Sequence, residues 1–450
     1  MTDFRKQKLI KLGADALADA LLHLAVYSDE ADKLIERLIA TPEENVRRFK
    51  RKLSGLKRRK RFIGWRESYG FSRELSMMLQ DVKISVDDPL TGAKLIAAFY
   101  ETDGAIFEIC DDSDGNVGDI FRYDARELFT YYASRCTNKE KIAEIILNLN
   151  KEDNYGVRDS LIDCAGECLP EDVIRTMIAT LQKRADREAN GYGKSHYLML
   201  IESLARQIKD AELFKKTRIA LWGKLPTAAL IDIARVYLES GEIDIAYSWL
   251  KKIPEGETFQ RYEQDKLLEE IYRKQGDSEK LSKLLYRKFR DYRSTDTLQA
   301  LLCVIGHDKR DEVVNSEAEL ILKCEKFRES DADFLIAVGK IDEAEEYLLK
   351  HADHFNGNHF DSLLSLAKVM ASENRYLVAS LIYRSLLLSI LERGYTKAYS
   401  YGVRYLKKLD KLATDVADWK EFDNHEAFKE QIFNAHGLKR SFWSKYEVKK

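Results

Sequence analysis

The stretch Gly241-Glu242-Ile243-Asp244-Ile245-Ala246-Tyr247-Ser248-Trp249-Leu250 is echoed by Gly339-Lys340-Ile341-Asp342-Glu343-Ala344-Glu345-Glu346-Tyr347-Leu348. Each copy opens on glycine, the residue that most readily takes the left-handed backbone conformation ending a helix. Each then carries alanine five positions on, where a second helix needs a small side chain to cross its neighbour closely. The copies therefore read as helix, tight turn, helix. A looser copy is Gly276-Asp277-Ser278-Glu279-Lys280-Leu281-Ser282-Lys283-Leu284-Leu285. Gly306 and Asn374 hold the same turn position in two more degenerate units, the last continuing to Ala379 and Tyr383.

The turn residues 241, 276, 306, 339 and 374 stand 35, 30, 33 and 35 apart. A period of about 34 residues with a small residue after the turn is the tetratricopeptide pattern. Ala234, Tyr237 and Gly241 fit it in the first unit, whereas several units lack the expected Trp, Ala or Pro, so the repeats are tetratricopeptide-like. The expected fold is all-α: an α-α superhelix, or helical-repeat solenoid, preceded by an N-terminal helical domain.

Composition agrees with long amphipathic helices. Hydrophobic residues make up 45% of the 450, charged residues 33%, and there are only 5 prolines to interrupt a helix. That length exceeds what one core supports. The formal net charge of −2 makes the chain as a whole no general polyanion binder. Its 6 cysteines are scattered apart from Cys164 and Cys168, which suits reduced thiols in the cytoplasm. The sequence shows no signal peptide and no apolar run of membrane-spanning length, so no membrane partner is expected.

Upstream, helices are expected from about Asp3 to Tyr27 with a break at Gly13, and again after Ser28. Thr41-Pro42-Glu43-Glu44 is a complete helix start, with Thr41 as cap and Glu44 reaching back to it. The helix that follows places Val46, Phe49, Leu53, Leu56 and Ile63 on one face. Further helices are expected over Arg66–Leu79, Asp88–Ile109, Gly118–Arg135, Asn138–Asn150, Gly156–Cys168 and Pro170–Asp186. The polar, glycine-bearing stretch Arg187–Lys194 marks a boundary. The expected organisation is 1–188, an N-terminal helical domain; 189–415, the repeats; and 416–450, a C-terminal capping helix and tail.

Two further segments carry a resemblance. One runs from Arg61-Phe62-Ile63-Gly64-Trp65 to Asp111-Asp112-Ser113-Asp114-Gly115. The other begins Tyr376-Leu377-Val378-Ala379-Ser380-Leu381-Ile382-Tyr383-Arg384 and continues through Ile390–Arg393, Lys397-Ala398-Tyr399 and Gly402–Leu406 to Asp418-Trp419, His436–Lys439 and Phe442-Trp443. Together they resemble a bacterial domain-of-unknown-function family over nearly the whole chain. The C-terminal half also resembles the helical region that follows SWIM zinc-binding modules, although the Cys-x-Cys and Cys-x-His signature of that module is absent. The resemblance implies a helical protein and transfers no catalytic or binding residue.

Residues 47–61 hold ten cations: Arg47, Arg48, Lys50, Arg51, Lys52, Lys57, Arg58, Arg59, Lys60 and Arg61. On a helix, all but Lys60 fall outside the apolar arc. The resulting surface, with Arg47, Arg48, Arg51, Lys52, Arg58 and Arg59 at its centre, suits nucleic-acid phosphates through counterion release. The plain alternative is a solvated face paired with the acidic stretch Glu101–Asp119. Near the C-terminus Lys397, Tyr401, Arg404 and Lys408 share one helix face, and Arg384 and Arg393 sit in the leucine-rich helix before it. Guanidinium groups there need an anionic ligand or a carboxylate such as Asp410.

No metal or cofactor is expected. His351, His354 and His359 are interrupted by Asn356-Gly357-Asn358 and lack an accompanying carboxylate or thiol at ligand spacing. Asp112-x-Asp114-Gly115 lacks the remaining acidic positions of a calcium loop, and Cys164 and Cys168 suit a core. No phosphate-binding loop, Gly-x-Ser-x-Gly elbow or His-Glu-x-x-His motif occurs, so no catalytic residue is assigned. The expected role is a non-enzymatic scaffold for a protein or peptide partner, with Arg235, Lys266, Arg273 and Lys368 facing its groove. A nucleic-acid-associated protein using residues 47–61 is the first alternative. An enzyme with a site between the two halves is the second.

Overall fold

The computed structural model describes residues 2–188 and 191–447, and among them every regular element is helical. Close packing divides the chain into two compact units, Met1–Ile271 and Tyr272–Lys450.

The first unit opens with α1 (Thr2–Ile10), α2 (Ala14–Ala25), α3 (Asp29–Ile39) and α4 (Pro42–Arg58). Local chemistry sets these ends. Gly13 separates the first two at a φ of 85°, and Ser28 caps α3 by accepting from the Ala31 amide at 3.3 Å. Thr41 accepts from the Glu44 amide at 3.3 Å while Glu44 accepts from the Thr41 amide at 2.9 Å. The leucines of α2, however, find no core, since that helix buries no residue.

α4 buries Phe49, Leu53 and Leu56 but ends at Arg58, short of the expected Arg61. Arg59 turns to extended backbone, and Ile63 leaves the helical face. Its amide donates to the Ile109 carbonyl at 2.8 Å, and its carbonyl accepts from the Asp111 amide at 2.9 Å. Long-range backbone pairing thus wins over continuation of the helix, at a point weakened by Gly64.

Next come α5 (Trp65–Ser85), α6 (Pro89–Tyr100), α7 (Asp103–Phe107) and α8 (Asn116–Asp119). A π-helical turn at Ile120–Ala125 leads into α9 (Arg126–Arg135). Phe99, Tyr100, Phe121, Phe129 and Tyr132 form the fully buried centre. Only glycine fits at 92, because a Cβ there would lie 2.4 Å from the Tyr132 ring. The expected Asp88–Ile109 helix breaks before Asp103, which turns inward to meet Arg158. The π turn has a similar cause: the buried Tyr100 hydroxyl donates to the Phe121 carbonyl at 2.6 Å, satisfying a group that the wider turn leaves open.

α10 (Lys139–Leu149), α11 (Asp159–Asp163), α12 (Ala165–Cys168) and α13 (Glu171–Arg187) follow, then α14 (Tyr192–Gln207), α15 (Ala211–Trp222), α16 (Thr227–Glu239) and α17 (Ile243–Leu250). The expected Gly156–Cys168 helix is thus split in two. The stretch 187–194 joins α13 to α14, which pack together; Ala189 and Asn190 lie outside the described residues. α18 (Arg261–Gln275) crosses the division between units.

The second unit contains α19 (Ser278–Asp291), α20 (Thr295–Ile305), α21 (Arg310–Lys323), α22 (Glu329–Ala337), α23 (Ile341–Lys350), α24 (Phe360–Ser372), α25 (Tyr376–Arg393), α26 (Tyr399–Leu412), α27 (His425–His436) and α28 (Arg440–Glu447). Asp410 on α26 ties down the last two helices. It accepts from His425 Nε2 at 2.9 Å, Lys429 Nζ at 3.1 Å and Tyr446 Oη at 2.8 Å.

Four of the five turn residues adopt the left-handed conformation: φ is 87° at Gly241, 68° at Gly276, 84° at Gly339 and 61° at Asn374. In each case the following amide donates to the carbonyl five residues back, on Tyr237, Tyr272, Leu335 and Met370, at 2.8–3.0 Å. Ala246, Ala344 and Ala379 are fully buried. Gly306 departs from the pattern, leading with φ 106° and ψ 136° into a short 3-10 turn. A further turn of the regular kind sits at Lys209, with φ 56° and the Asp210 amide donating to the Ala205 carbonyl at 2.9 Å. It carries no glycine, so its residue types give no turn signal. Its spacing to the next turn (209 to 241) is nevertheless that of the others.

Candidate functional site

α25 supplies one side of a hollow of about 640 Å³ within the second unit. The segment 352–358 forms a second side, and Phe422, Phe428 and Gln431 form a third. Serines on α25 stitch the segment down. Ser385 Oγ donates to the Phe355 carbonyl at 2.9 Å, and Ser389 Oγ donates to Asn358 Oδ1 at 3.1 Å. Gly357 permits the approach, since a Cβ there would stand 2.4 Å from the Ser385 carbonyl oxygen. A second hollow of about 780 Å³, around Phe327 and Arg328, shares His354 and Asn356 with the first.

Arg384 is the unusual group. It is 7% exposed, and its guanidinium carbon lies 4.5 Å from the centre of the Trp419 ring and 4.6 Å from that of Phe428. Nη1 donates to the Asp423 carbonyl at 2.8 Å. Nε and Nη2 are buried with no hydrogen-bond partner among the described residues. Burial pulls its pKa down to about 10, against the opposing charge of Asp423, so the group stays cationic at neutral pH. The sequence marks Arg384 as needing an anion or a carboxylate such as Asp410. Asp410 is instead taken by His425, Lys429 and Tyr446, and Arg384 meets a carbonyl and two rings.

Of the other C-terminal residues, Arg393 lines the same hollow and donates from Nε to the Ser389 carbonyl at 3.0 Å. Lys397 and Tyr401 are exposed. Arg404 stacks on Tyr401, 4.4 Å from its ring centre. The hollow therefore gathers Arg384 and Arg393 but not Lys397, Tyr401 or Arg404.

The expected groove cations are divided between the units. Arg235 and Lys266 belong to the first, and Arg273 and Lys368 to the second. Arg235 Nη2 pairs with Glu263 at 2.8 Å, while Lys266, Arg273 and Lys368 are exposed. On α4 and the extended run after it, several cations meet carboxylates: Arg48 with Glu36, Lys52 with Asp81, Lys57 with Glu101, Arg59 with Glu74 and Arg61 with Glu67. Only Glu101 belongs to the acidic stretch anticipated for them. Arg58 Nε donates back to the Ser54 carbonyl at 3.1 Å. Arg47, Lys50 and Arg51 are exposed.

The histidines of 351–359 do not converge. His351 Nε2 donates to the Cys324 carbonyl at 3.2 Å, and His359 Nδ1 lies 3.0 Å from Glu329. Among the described residues no three His, Cys, Asp or Glu side chains are grouped to hold a metal ion. No described helix is long and apolar enough to cross a membrane. Cys164 and Cys168 are buried, and burial raises both thiols, Cys168 to about 12.

A family model described as a family of unknown function, DUF6880, matches residues 2–222 and 194–445. The chain belongs to that family. Among curated proteins no relative matches.

Proposed function

Taking membership of that family as the premise, which supplies no activity, we propose that the protein is a cytoplasmic, non-enzymatic scaffold of tetratricopeptide-like, superhelical type. Its ligand is a protein or peptide partner. The observation that carries this reading is the hollow beside α25. Phe355, Leu388, Phe422 and Phe428 offer it apolar contact, Asn356 and Asn358 offer it amides, and Arg384 and Arg393 offer it charge. That mixture suits a short peptide, whose backbone needs donors and acceptors while its side chains need apolar cover. The recurring left-handed turns and buried alanines support the repeat architecture. Phage display of random peptides on the full chain is the test. Enrichment of one motif, with binding lost on filling the hollow by Ser389→Trp, is the expected result. A selection that enriches nothing overturns the reading.

A second reading, contact with nucleic-acid phosphates, draws on Arg47, Lys50 and Arg51, which are exposed on α4. Affinity for single-stranded and duplex DNA measured against salt tests it. A flat salt response removes it.

A further inference from the structure

We propose that the Nε–Nη2 edge of Arg384 receives the carboxylate group of a bound peptide. The assignment rests on the scaffold reading only for the peptide nature of the ligand.

The argument begins with a comparison inside the chain. Arg158 donates from Nη1 to the Leu149 carbonyl at 3.1 Å, and from Nε and Nη2 to the two oxygens of Asp103 at 2.8 and 2.6 Å. Arg384 repeats the first half of this pattern, with Nη1 on the Asp423 carbonyl. The second half is empty, since Nε and Nη2 lack any partner among the described residues. These two N–H groups lie side by side on one edge of the planar group, at the spacing of a carboxylate's oxygens.

The surroundings leave that edge as the remaining place to bond. Trp419 and Phe428 pack near the guanidinium, and the Asp423 carbonyl occupies Nη1. Two nearby carboxylates are engaged elsewhere: Asp423 Oδ2 accepts from Gln431 at 2.7 Å, and Asp410 accepts from three donors. A buried charge with unpartnered hydrogen-bonding groups costs free energy. That cost is recovered if a ligand completes the pair. Glu392 and Asp353 also line the hollow; they repel a phosphate dianion more than a single carboxylate. Both free nitrogens are shielded from solvent, so a ligand that reaches them displaces a neighbouring group, and the Trp419 ring lies 4.5 Å from the guanidinium carbon. Trp419 is therefore the natural reporter.

The test uses the full chain with three probes: N-acetyl-glycylglycine, its C-terminal amide and inorganic phosphate. Tryptophan emission is followed, with Trp419→Phe used to assign the signal. The acid is expected to perturb Trp419 and to bind roughly tenfold or more tighter than the amide, the worth of a charge-assisted pair. Arg384→Lys should reduce that preference several-fold, because a lysine keeps the charge but cannot present the fork. Arg384→Met should melt at or above the wild-type temperature while losing the acid, since it removes a buried polar edge.

Tighter binding of phosphate than of acid overturns the assignment. So does the absence of any probe effect, which would leave the edge to water, and so does a melting point lowered by several degrees in Arg384→Met, which would make the guanidinium a strut. Equal binding of acid and amide, unchanged in Arg384→Lys, sinks the carboxylate assignment and leaves the scaffold reading standing. Binding of the acid through Arg384 in a chain that selects no displayed peptide does the reverse.

Discussion

Arg158 and Asp103 meet through two parallel hydrogen bonds although 55 positions separate them, and both side chains are almost wholly buried. Asp103 also starts α7, so one pair fixes both where α6 stops and where the 150–158 segment lies. Asp103→Ala strands a buried guanidinium and should cost about 3–5 kcal/mol. Replacing both members, with Asp103→Leu and Arg158→Met, should recover most of that loss. Urea denaturation of the two variants checks it: equal losses would mean that the pair's charge is not what matters.

The left-handed turns give a prediction of opposite signs at equivalent places. Lys209 holds a conformation that costs an L-residue roughly 1–2 kcal/mol, so Lys209→Gly should stabilise the first unit by about 0.5–1 kcal/mol net of glycine's extra freedom when unfolded. Gly339→Ala should destabilise the second by about 1 kcal/mol, because nothing but backbone strain is introduced there. Thermal melts of both variants decide the point, and shifts of the same sign would refute it.

Gly357 tests how tightly the wall of the hollow is held. A Cβ at 357 would meet the Ser385 carbonyl oxygen at 2.4 Å and Ser389 Cβ at 2.6 Å, and backbone atoms of α25 cannot yield as a flexible side chain would. Gly357→Ala should therefore cost about 1–3 kcal/mol and weaken peptide uptake. Ser385→Ala, which removes only the bond to the Phe355 carbonyl, should cost about 1 kcal/mol. Stability and peptide affinity measured together would expose an error, since unchanged affinity in Gly357→Ala means that the wall does not matter.

A pH effect follows from His351. Burial lowers its pKa below the ordinary 6.5, while the Cys324 carbonyl opposes the shift by accepting from Nε2. The folded chain keeps the ring neutral longer than the unfolded chain does. Its stabilising share is complete above 6.5 and falls as the pH drops below that value towards the folded pKa. Urea midpoints taken at neutral pH and near pH 5 should fall less in His351→Gln than in the wild type. An identical fall in both would assign the effect elsewhere.

Legibility in the sequence tracked the range of the interactions involved. The caps at Ser28 and Thr41 and the turns at Gly241, Gly276, Gly339 and Asn374 were readable because each depends on a few adjacent residues. Lys209 was missed because its side chain gives no hint of a left-handed backbone; only its spacing to Gly241 does. The end of α4 was misjudged because Ile63 is claimed by the backbone of residues 109 and 111. The cavity was half legible. A guanidinium in a leucine-rich helix marked Arg384 as needing a partner, but Asp410 lies within reach of His425, Lys429 and Tyr446 instead.

By itself, the sequence determined that this chain is helical and where many of its helices start and turn, because capping, glycine's freedom and apolar periodicity act over one or two turns of chain. Tertiary structure alone decided which buried charges are paired and which are not. Arg158 finds a carboxylate 55 positions away, whereas Arg384 finds a carbonyl and two rings, with one edge unpartnered among the described residues. Both are arginines, and nothing adjacent to either in the chain reveals the difference. The pairing of a buried charge depends on which distant segment the fold brings within about 3 Å of it.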